Sequence, residues 1–434
     1  MKPVGGGCGG LLGPGLTIRR LMGLWWPQGG RGRIAAAAAA TLTVASLTML
    51  VAFPALKLIM DTPSELEEIT LCCFVIFLCS GFIIKSALFI YQGDILKELL
   101  QLFSDNRRIY SNDRNSEGIR QSYIKLSERV YVYMQVSVLP AVAGWVSAPM
   151  LARFFLTAES TQQFPVPLWF PGDIYQTPTY EILYAVQSFC VLVTGQCTVV
   201  IDVFFIHLML MVAAELHVLN ENISLMQKLN VKTRVSEAEE WQFRIRRNDE
   251  ELTFPIHDHR ARVGYFCSED VSDENMCLKL VKNIQHHQQI LRSVLLLKSV
   301  MNVSIFILLL LNMADLCSCM FITAVLLQRG GDVTKALKPL LTIPPLLYET
   351  GMYCFFGQIL TDQSENLIDS AFSSGWVDCD SRFKRDLLIF LMAANRPLEV
   401  TVGKISKLSK QMLVQVLNGT YGLLNLLYHF HGSQ

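Results

Sequence analysis

Residues 411–430, QMLVQVLNGTYGLLNLLYHF, carry no charge and are long enough to cross the hydrocarbon core of a bilayer as one helix. Gln411, Gln415, Asn418, Gly422, Asn425 and His429 follow one another at steps of four and three, so they share one helical face. Leu, Val, Met and Tyr occupy most of the remaining surface. Hydrocarbon offers an amide no hydrogen bond, so this stripe must meet water or another helix. Two readings stand on these residues alone: a helix lining a pore, or polar glue inside a helix bundle. Lys404, Lys407 and Lys410, three apart, make a basic collar just before the stretch.

The rest of the chain fits a membrane. Of its 434 residues 51% are hydrophobic and 17% charged, against about a quarter charged in an ordinary soluble protein. The formal net charge is zero, so nothing points to nucleic acid. The apolar residues fall in long blocks, which predicts an all-α polytopic protein. Twelve cysteines raise the question of disulfides. Cys72, Cys73, Cys79, Cys190, Cys197, Cys317, Cys319 and Cys354 lie inside apolar blocks. Cys8, Cys267, Cys277 and Cys379 lie in segments assigned below to the cytosol, where thiols stay reduced.

Seven spans are expected, at 34–56, 69–91, 130–151, 182–214, 299–327, 340–360 and 411–430. Residues 1–33 read as a Gly-rich, basic, mobile arm; 361–410 is a polar segment between the last two spans. A signal peptide is disfavoured for the first span, which begins far from Met1. Lys85 lies near enough to one end of its span to snorkel. Pro140 and Pro149 should kink the third span. The fourth is too long for the bilayer and should tilt or project beyond it. Loop charge sets the orientation. The 92–129 loop carries Lys97, Arg107, Arg108, Arg114, Arg120, Lys125 and Arg129, whereas 154–181 carries no Lys or Arg. Arg19, Arg20, Arg31 and Arg33 in the first segment agree, although 328–339 has three basic residues. The N-terminus is therefore placed in the cytosol and the C-terminus, in residues 411–434, outside. That polarity opposes a G-protein-coupled receptor, and neither an Asp-Arg-Tyr nor an Asn-Pro-x-x-Tyr motif stands in the relevant span.

The segment after the sixth span carries a longer pattern. It reads Tyr353-Cys354, Gly357, Leu360, Ser364, Leu367, Ala371-Phe372-Ser373-Ser374 and Trp376. Arg382, Lys384-Arg385, Leu387-Leu388, Pro397-Leu398, Gly403-Lys404, Leu408-Ser409 and Tyr421 continue it. In order and spacing this resembles the C-terminal signature of the insect odorant receptor family, with Phe372 where Tyr is usual and Gly422 where Ser often follows. Residues 284–291, with His287, and Gly23-Leu24-Trp25-Trp26-Pro27 resemble two further elements of that family. The gustatory-receptor ending, with Gln-Phe after five apolar residues, is not matched, because Leu427-Tyr428 stands at its place. The coreceptor's longer second cytosolic loop is also missing.

The resemblance implies a tuned odorant receptor subunit: part of an odour-gated, non-selective cation channel in the plasma membrane of olfactory sensory neurons. Such subunits form a heterotetramer with the olfactory coreceptor, within membrane lipid. It implies a small volatile ligand held between the outer halves of spans two, three, four and six, which puts Phe74, Phe77, Trp145, Tyr184, Gln187, Tyr348 and Met352 on the wall. Aromatic residues in spans also serve as plain packing. It implies a pore along the seventh helix, with Leu424, Asn425, Leu427 and Tyr428 at its constriction. A gustatory-type channel and a non-channel receptor or transporter are the alternatives; the latter calls for repeats or broken helices in matching halves, which the sequence lacks.

Other residues have two readings each. Residues 230–275 make a polar insertion within 34–360, read as a disordered cytosolic loop. His257-Asp258-His259 within it has no second ligand cluster, so no metal is expected. His286-His287 reads as a packing pair in the cytosolic anchor, which the resemblance implies is formed by the inner ends of spans four to seven with residues 361–410. Asp315 and Glu349 are costly in a span: either faces water and favours cations, or Glu349 is neutral or bonded to a neighbouring helix. No nucleophile–base pair, phosphate loop or carboxylate pair suggests an enzyme, and no cofactor is expected.

Overall fold

A computed structural model describes residues 8–25, 30–110, 114–155, 163–250, 260–328, 333–403 and 406–432. Eleven α-helices and one short hairpin make up the described fold, which is otherwise all-α. Two short helices, α1 (Cys8–Leu11) and α2 (Leu16–Leu21), precede α3 (Gly30–Met60), α4 (Leu66–Tyr91) and α5 (Gly93–Ile109). Then come α6 (Arg114–Phe155), α7 (Thr179–Glu250), α8 (Arg260–Gln328) and α9 (Val333–Phe372). A 3₁₀ turn at Trp376–Asp378, α10 (Ser381–Ala394), β1 (Thr401–Val402), β2 (Ser406–Lys407) and α11 (Lys410–Gly432) complete the chain.

α7 is the axis of the bundle. Every residue from 197 to 216 is buried, and α3, α4, α6, α8 and α9 all pack against it. A helix surrounded on all sides needs apolar residues on all sides, which is why this stretch shows no amphipathic period. Of its four buried polar residues, Asp202, His207 and Glu215 each reach a partner on another segment, and Thr198 bonds the Thr194 carbonyl of its own helix. Among the described residues five helices are long and apolar enough to cross a membrane: Gly32–Met60 in α3, Leu66–Tyr91 in α4, Asn115–Met150 in α6, Thr179–Met226 in α7 and Glu274–Gln328 in α8. α9 holds three prolines and Glu349, and α11 the polar stripe; neither is among the five.

Two expectations for the chain's outlying parts are corrected here. The first segment is not a free arm over its described part: Leu24 and Arg19 are buried. His207 bonds the Leu11 carbonyl at 3.2 Å, and the Arg19 guanidinium lies 4.1 Å from the Phe204 ring centre. Gly13 makes the close approach possible, since its φ is +67° and a Cβ there would sit 2.8 Å from the His207 ring. Burial pushes Arg19 down to about 9, and its guanidinium donates to the Leu12 carbonyl. The segment 230–275 is not a loop throughout either, because α7 runs on to Glu250 and α8 begins at Arg260. His257, Asp258 and His259 lie outside the described residues.

The end of the bundle away from the α6–α7 connection is tied by charge and by short elements. Glu215 of α7 accepts from Arg120 of α6 at 2.8 and 2.9 Å and meets His286 of α8 at 2.9 Å, all three buried. Tyr110 stacks on His286 at 4.1 Å. His287 packs edge-on against Phe390 at 5.3 Å, so the two adjacent histidines fasten two different neighbours. α10 buries Phe383, Leu387, Phe390 and Ala394, one face at helical spacing, and starts at Asp380, whose carboxylate accepts from the Ser381 N–H. That bond holds Asp380 below the usual carboxylate range.

Most of the C-terminal pattern serves packing. The Ser364 hydroxyl accepts from the Leu398 N–H at 2.9 Å. β1 and β2 pair Thr401 with Lys407 and Val402 with Ser406, and Gly403 (φ +64°) sends its N–H to the Asn302 carbonyl of α8 at 3.2 Å. A Cβ on Gly357 would fall 2.5 Å from that of Leu408, so α9 and the turn from β2 into α11 meet without a side chain between them. α9 runs without a break through residue 360 to Phe372, so the sixth span and the polar segment share one helix.

Candidate functional site

A cavity of ≈ 110 Å³ lies between α4, α6, α7 and α9, closed at its sides by Leu50 of α3 and Val166 of the α6–α7 connection. Its wall is built from one face of each helix. On α9 the face is Thr342, Pro345, Leu346 and Glu349, at helical spacing. On α6 it includes Met134, Val138, Ala141 and Trp145. Gly195 on α7 lets α6 come close: a Cβ there would meet Val142 at 2.6 Å. Phe74 and Trp145 stack with centres 6.0 Å apart and planes 26° apart, making a flat aromatic side. The Trp145 N–H donates to the Thr342 hydroxyl at 2.9 Å, which fixes the indole on the wall.

The inner end of the cavity is charged beneath its surface. Lys85 of α4 donates to Asp202 of α7 at 2.7 Å and to Glu349 of α9 at 2.8 Å. Tyr353 donates to Asp202 at 2.6 Å, and Asn312 of α8 donates to Glu349 and to Thr350 at 3.3 Å. Four helices thus meet on one buried network. The snorkelling expected of Lys85 is corrected: only 1% of its side chain is exposed, and two carboxylates take the place of water. Glu349 is bonded to two neighbouring helices, the second of its two readings. Asp315 is fully buried, and neither of its oxygens has a hydrogen-bond partner among the described residues.

At the opposite end a strap of residues 163–168 covers the cavity. Gln187 of α7 holds it at both edges of Val166, accepting from its N–H at 3.1 Å and donating to its carbonyl at 3.2 Å. Lys338 donates to the Phe164 and Pro165 carbonyls at 3.0 and 3.1 Å, and Tyr180 to that of Gln163 at 2.9 Å. Val166 also borders a second, outer cavity of ≈ 290 Å³ that includes Lys57, Glu65, Glu67 and Glu68. One side chain therefore separates an apolar chamber from a charged vestibule.

Of the seven residues expected on the wall, Phe74 and Trp145 are there. Gln187 and Tyr184 are buried behind it; the Tyr184 hydroxyl donates to the Val146 carbonyl. Tyr348 packs against the cluster of Met134, Val138 and Val142, and Met352 lies in the core a turn further on. Phe77 is 40% exposed on the outside of α4. Asp202 and Val166 carry no expectation from the sequence, and Lys85 carries only that of snorkelling. A lysine and an aspartate in separate apolar blocks are a usable signal, because such groups pair. Val166, in a connection of ordinary composition, gives none.

On α11, all six polar positions of the stripe are exposed in the single chain. Leu424, Leu427 and Tyr428 are half-buried on the other side, against Phe321, Ile322 and Val325 of α8, with Phe321 and Tyr428 edge to face at 5.5 Å. Asn425 points away from them and is exposed. Among the described residues no group of three or more His, Cys, Asp or Glu is placed to hold a metal.

An all-α chain with several membrane-length apolar helices around an apolar cavity is a multi-pass membrane receptor in its build. The family described as 7tm odorant receptor matches residues 65–421, and the chain belongs to that family, one of receptors rather than enzymes. It is 24% identical to odorant receptor 10 of Aedes albopictus over 78% of this chain and 81% of that one. It is 22% identical to odorant receptor 83a of Drosophila melanogaster over 65% of this chain and 62% of that one. The olfactory receptor OR5 of Machilis hrabei, solved in complex with eugenol, shares the fold: TM-score 0.75 at 13% identity, covering 97% of this chain and 96% of that one.

Proposed function

We propose that the chain is a tuned odorant receptor subunit whose ligand, a small volatile, occupies the cavity under Val166. The observation that carries this is the apolar chamber, ≈ 110 Å³, between α4, α6, α7 and α9 in a member of the odorant receptor family. The eugenol complex of the Machilis receptor supports a small organic ligand. Phe74 and Trp145 make the contact surface in this reading. Tyr184, Gln187, Tyr348 and Met352 act from behind the wall, and Phe77 from further out.

The proposal extends to the whole assembly. Seven helices cross the plasma membrane of an olfactory sensory neuron, α9 and α11 among them, with the N-terminus in the cytosol and the C-terminus outside. This subunit joins the olfactory coreceptor in a heterotetramer, and α11 lines a non-selective cation pore, its exposed amides facing water. A ligand that binds the open arrangement more tightly shifts the equilibrium toward it. Current recording from cells expressing the chain with and without the coreceptor, across an odour panel, tests the reading. Odour-evoked current only in the pair is expected; a surface-expressed pair silent to every odour defeats it. Tags at Met1 and Gln434 should differ in antibody access on intact cells, the second alone being stained.

A further inference from the structure

We infer that the cavity is selective for small hydrocarbons over odorants of equal size whose polar group is a carbonyl or ether oxygen. The inference rests on the reading of this cavity as the odorant site, and it names the ligand's chemical class.

The side chains on the wall have no strong hydrogen-bond donor to spare. The Thr194 hydroxyl donates to the Cys190 carbonyl at 2.8 Å, Thr198 to Thr194 at 3.1 Å, and Thr342 to Lys338 at 2.9 Å. Each is spent on its own helix, four residues back. The Trp145 N–H is spent on Thr342. Cys79 keeps a free thiol, which is a weak donor. Glu349, the one ionisable carboxyl on the wall, accepts from Lys85 and Asn312 and turns no donor inward. The backbone adds little: the Val166 N–H is taken by Gln187, and Pro345 has no N–H.

An acceptor group that leaves water for such a chamber loses its hydrogen bonds and gains none in return. A hydrocarbon has none to lose. An alcohol falls between, since the threonine oxygens and Glu349 can still accept. Size narrows the class further. At ≈ 110 Å³ the chamber is of the same order as the roughly 150 Å³ apolar cavity that takes benzene in an engineered core, so its ligand is limited to about a single ring or a short chain. The stacked Phe74 and Trp145 offer that ring a flat face.

The test uses cells expressing this chain with the coreceptor and two matched sets: toluene, benzyl alcohol and benzaldehyde; 1-heptene and 2-heptanone. Half-maximal aqueous concentrations for the hydrocarbons are expected at least tenfold below those of the carbonyl partners. Met134→Gln, a swap of similar volume on α6, adds an amide N–H to the wall and should shrink that ratio about tenfold. Currents with the carbonyl members equally or more potent would overturn the inference while leaving the odorant site standing. That ranking decides even if Met134→Gln fails to reach the surface. An unchanged ratio in a surface-expressed Met134→Gln complex also counts against it. Silence of the surface-expressed wild-type complex to these probes and to every other odour overturns the site reading and the selectivity with it.

Discussion

Lys85 bonds one carboxylate on α7 and another on α9, so removing it differs in kind from removing either partner. Lys85→Met leaves Asp202 and Glu349 buried without a counter-charge, and breaking a buried pair from one side costs about 3–5 kcal/mol. Asp202→Asn leaves Lys85 with Glu349, and the amide oxygen can still accept from Tyr353, which loses little. The expected order is a large loss of thermal stability in detergent for Lys85→Met and a small one for Asp202→Asn. Equal losses would show that the network is not held by charge balance. The same residues mark what the sequence reveals at this scale. Glu349 and Asp315 stand out because charge in an apolar block is costly wherever it lies. Lys85 and Asp202 stand out on the same ground; which charge meets which does not, because pairing between α4, α7 and α9 is set by helix rotation, which no single block records. The wall itself shows this: α9 presents Leu346 and Glu349 to the cavity, one face round from Tyr348 and Met352, and α4 presents Phe74 but not Phe77. The choice of helices is readable from a family pattern; the arc of each helix is not.

An element acts through what holds its ends. The strap over the cavity is fastened by three side chains, and Gln187 is the only one that grips Val166 itself. Gln187→Leu keeps volume and removes both bonds, leaving two buried backbone groups of Val166 unpaired, at a cost of about 1–3 kcal/mol each. The strap should then open more often. Odour-evoked currents are expected to rise and wash out several-fold faster, with the ranking of odours unchanged, because no wall contact is altered. Unchanged washout kinetics, or a changed ranking, would return Gln187 to the role of ligand contact. A second element is the junction of α9 with α11. Gly357→Ala drives a methyl into Leu408, and overpacking of this kind costs typically 1–3 kcal/mol. Reduced odour-evoked current at near-normal surface density is the expected result; wild-type current would mean the junction yields freely. The glycines, Ser364 and Leu408 of this region were readable as a pattern before their contacts were known, since a close approach tolerates few residues. The length of α9 was not, because a helix that leaves the membrane changes composition without changing its backbone. The same holds for α7, whose apolar block ends well before the helix does.

For the whole molecule, the question is what the exposed face of α11 meets. In a single chain Gln411, Gln415, Asn418, Asn425 and His429 are exposed, while Val416 and Thr420 are buried. α11 packs on α8 and α9, and Gly419 lies so close to α8 that a Cβ would sit 2.5 Å from the Met313 sulfur. The helix is therefore held by its own chain on one side and carries its amides on the other. A physical line joins the cavity to it: Glu349 on the wall, Asn312 on α8, and then Phe321 and Val325 of α8 against Leu424 and Tyr428. In the proposed channel, a shift of α8 that follows ligand entry moves the apolar side of α11 and turns Asn425 relative to the central axis. This separates two residues that the sequence alone sets side by side. Leu424→Ser weakens the grip on α8 and should raise resting current. Asn425→Asp leaves that grip intact and adds a carboxylate to the exposed face, where a ring of charge favours cations. A several-fold rise in calcium over sodium permeability, read from reversal potentials, is expected with the odour ranking preserved. If Asn425→Asp leaves reversal potential and conductance at wild-type values while Leu424→Ser still raises resting current, α11 moves with the gate but its amides face protein. The stripe is then the glue of the assembly, and the water path runs elsewhere.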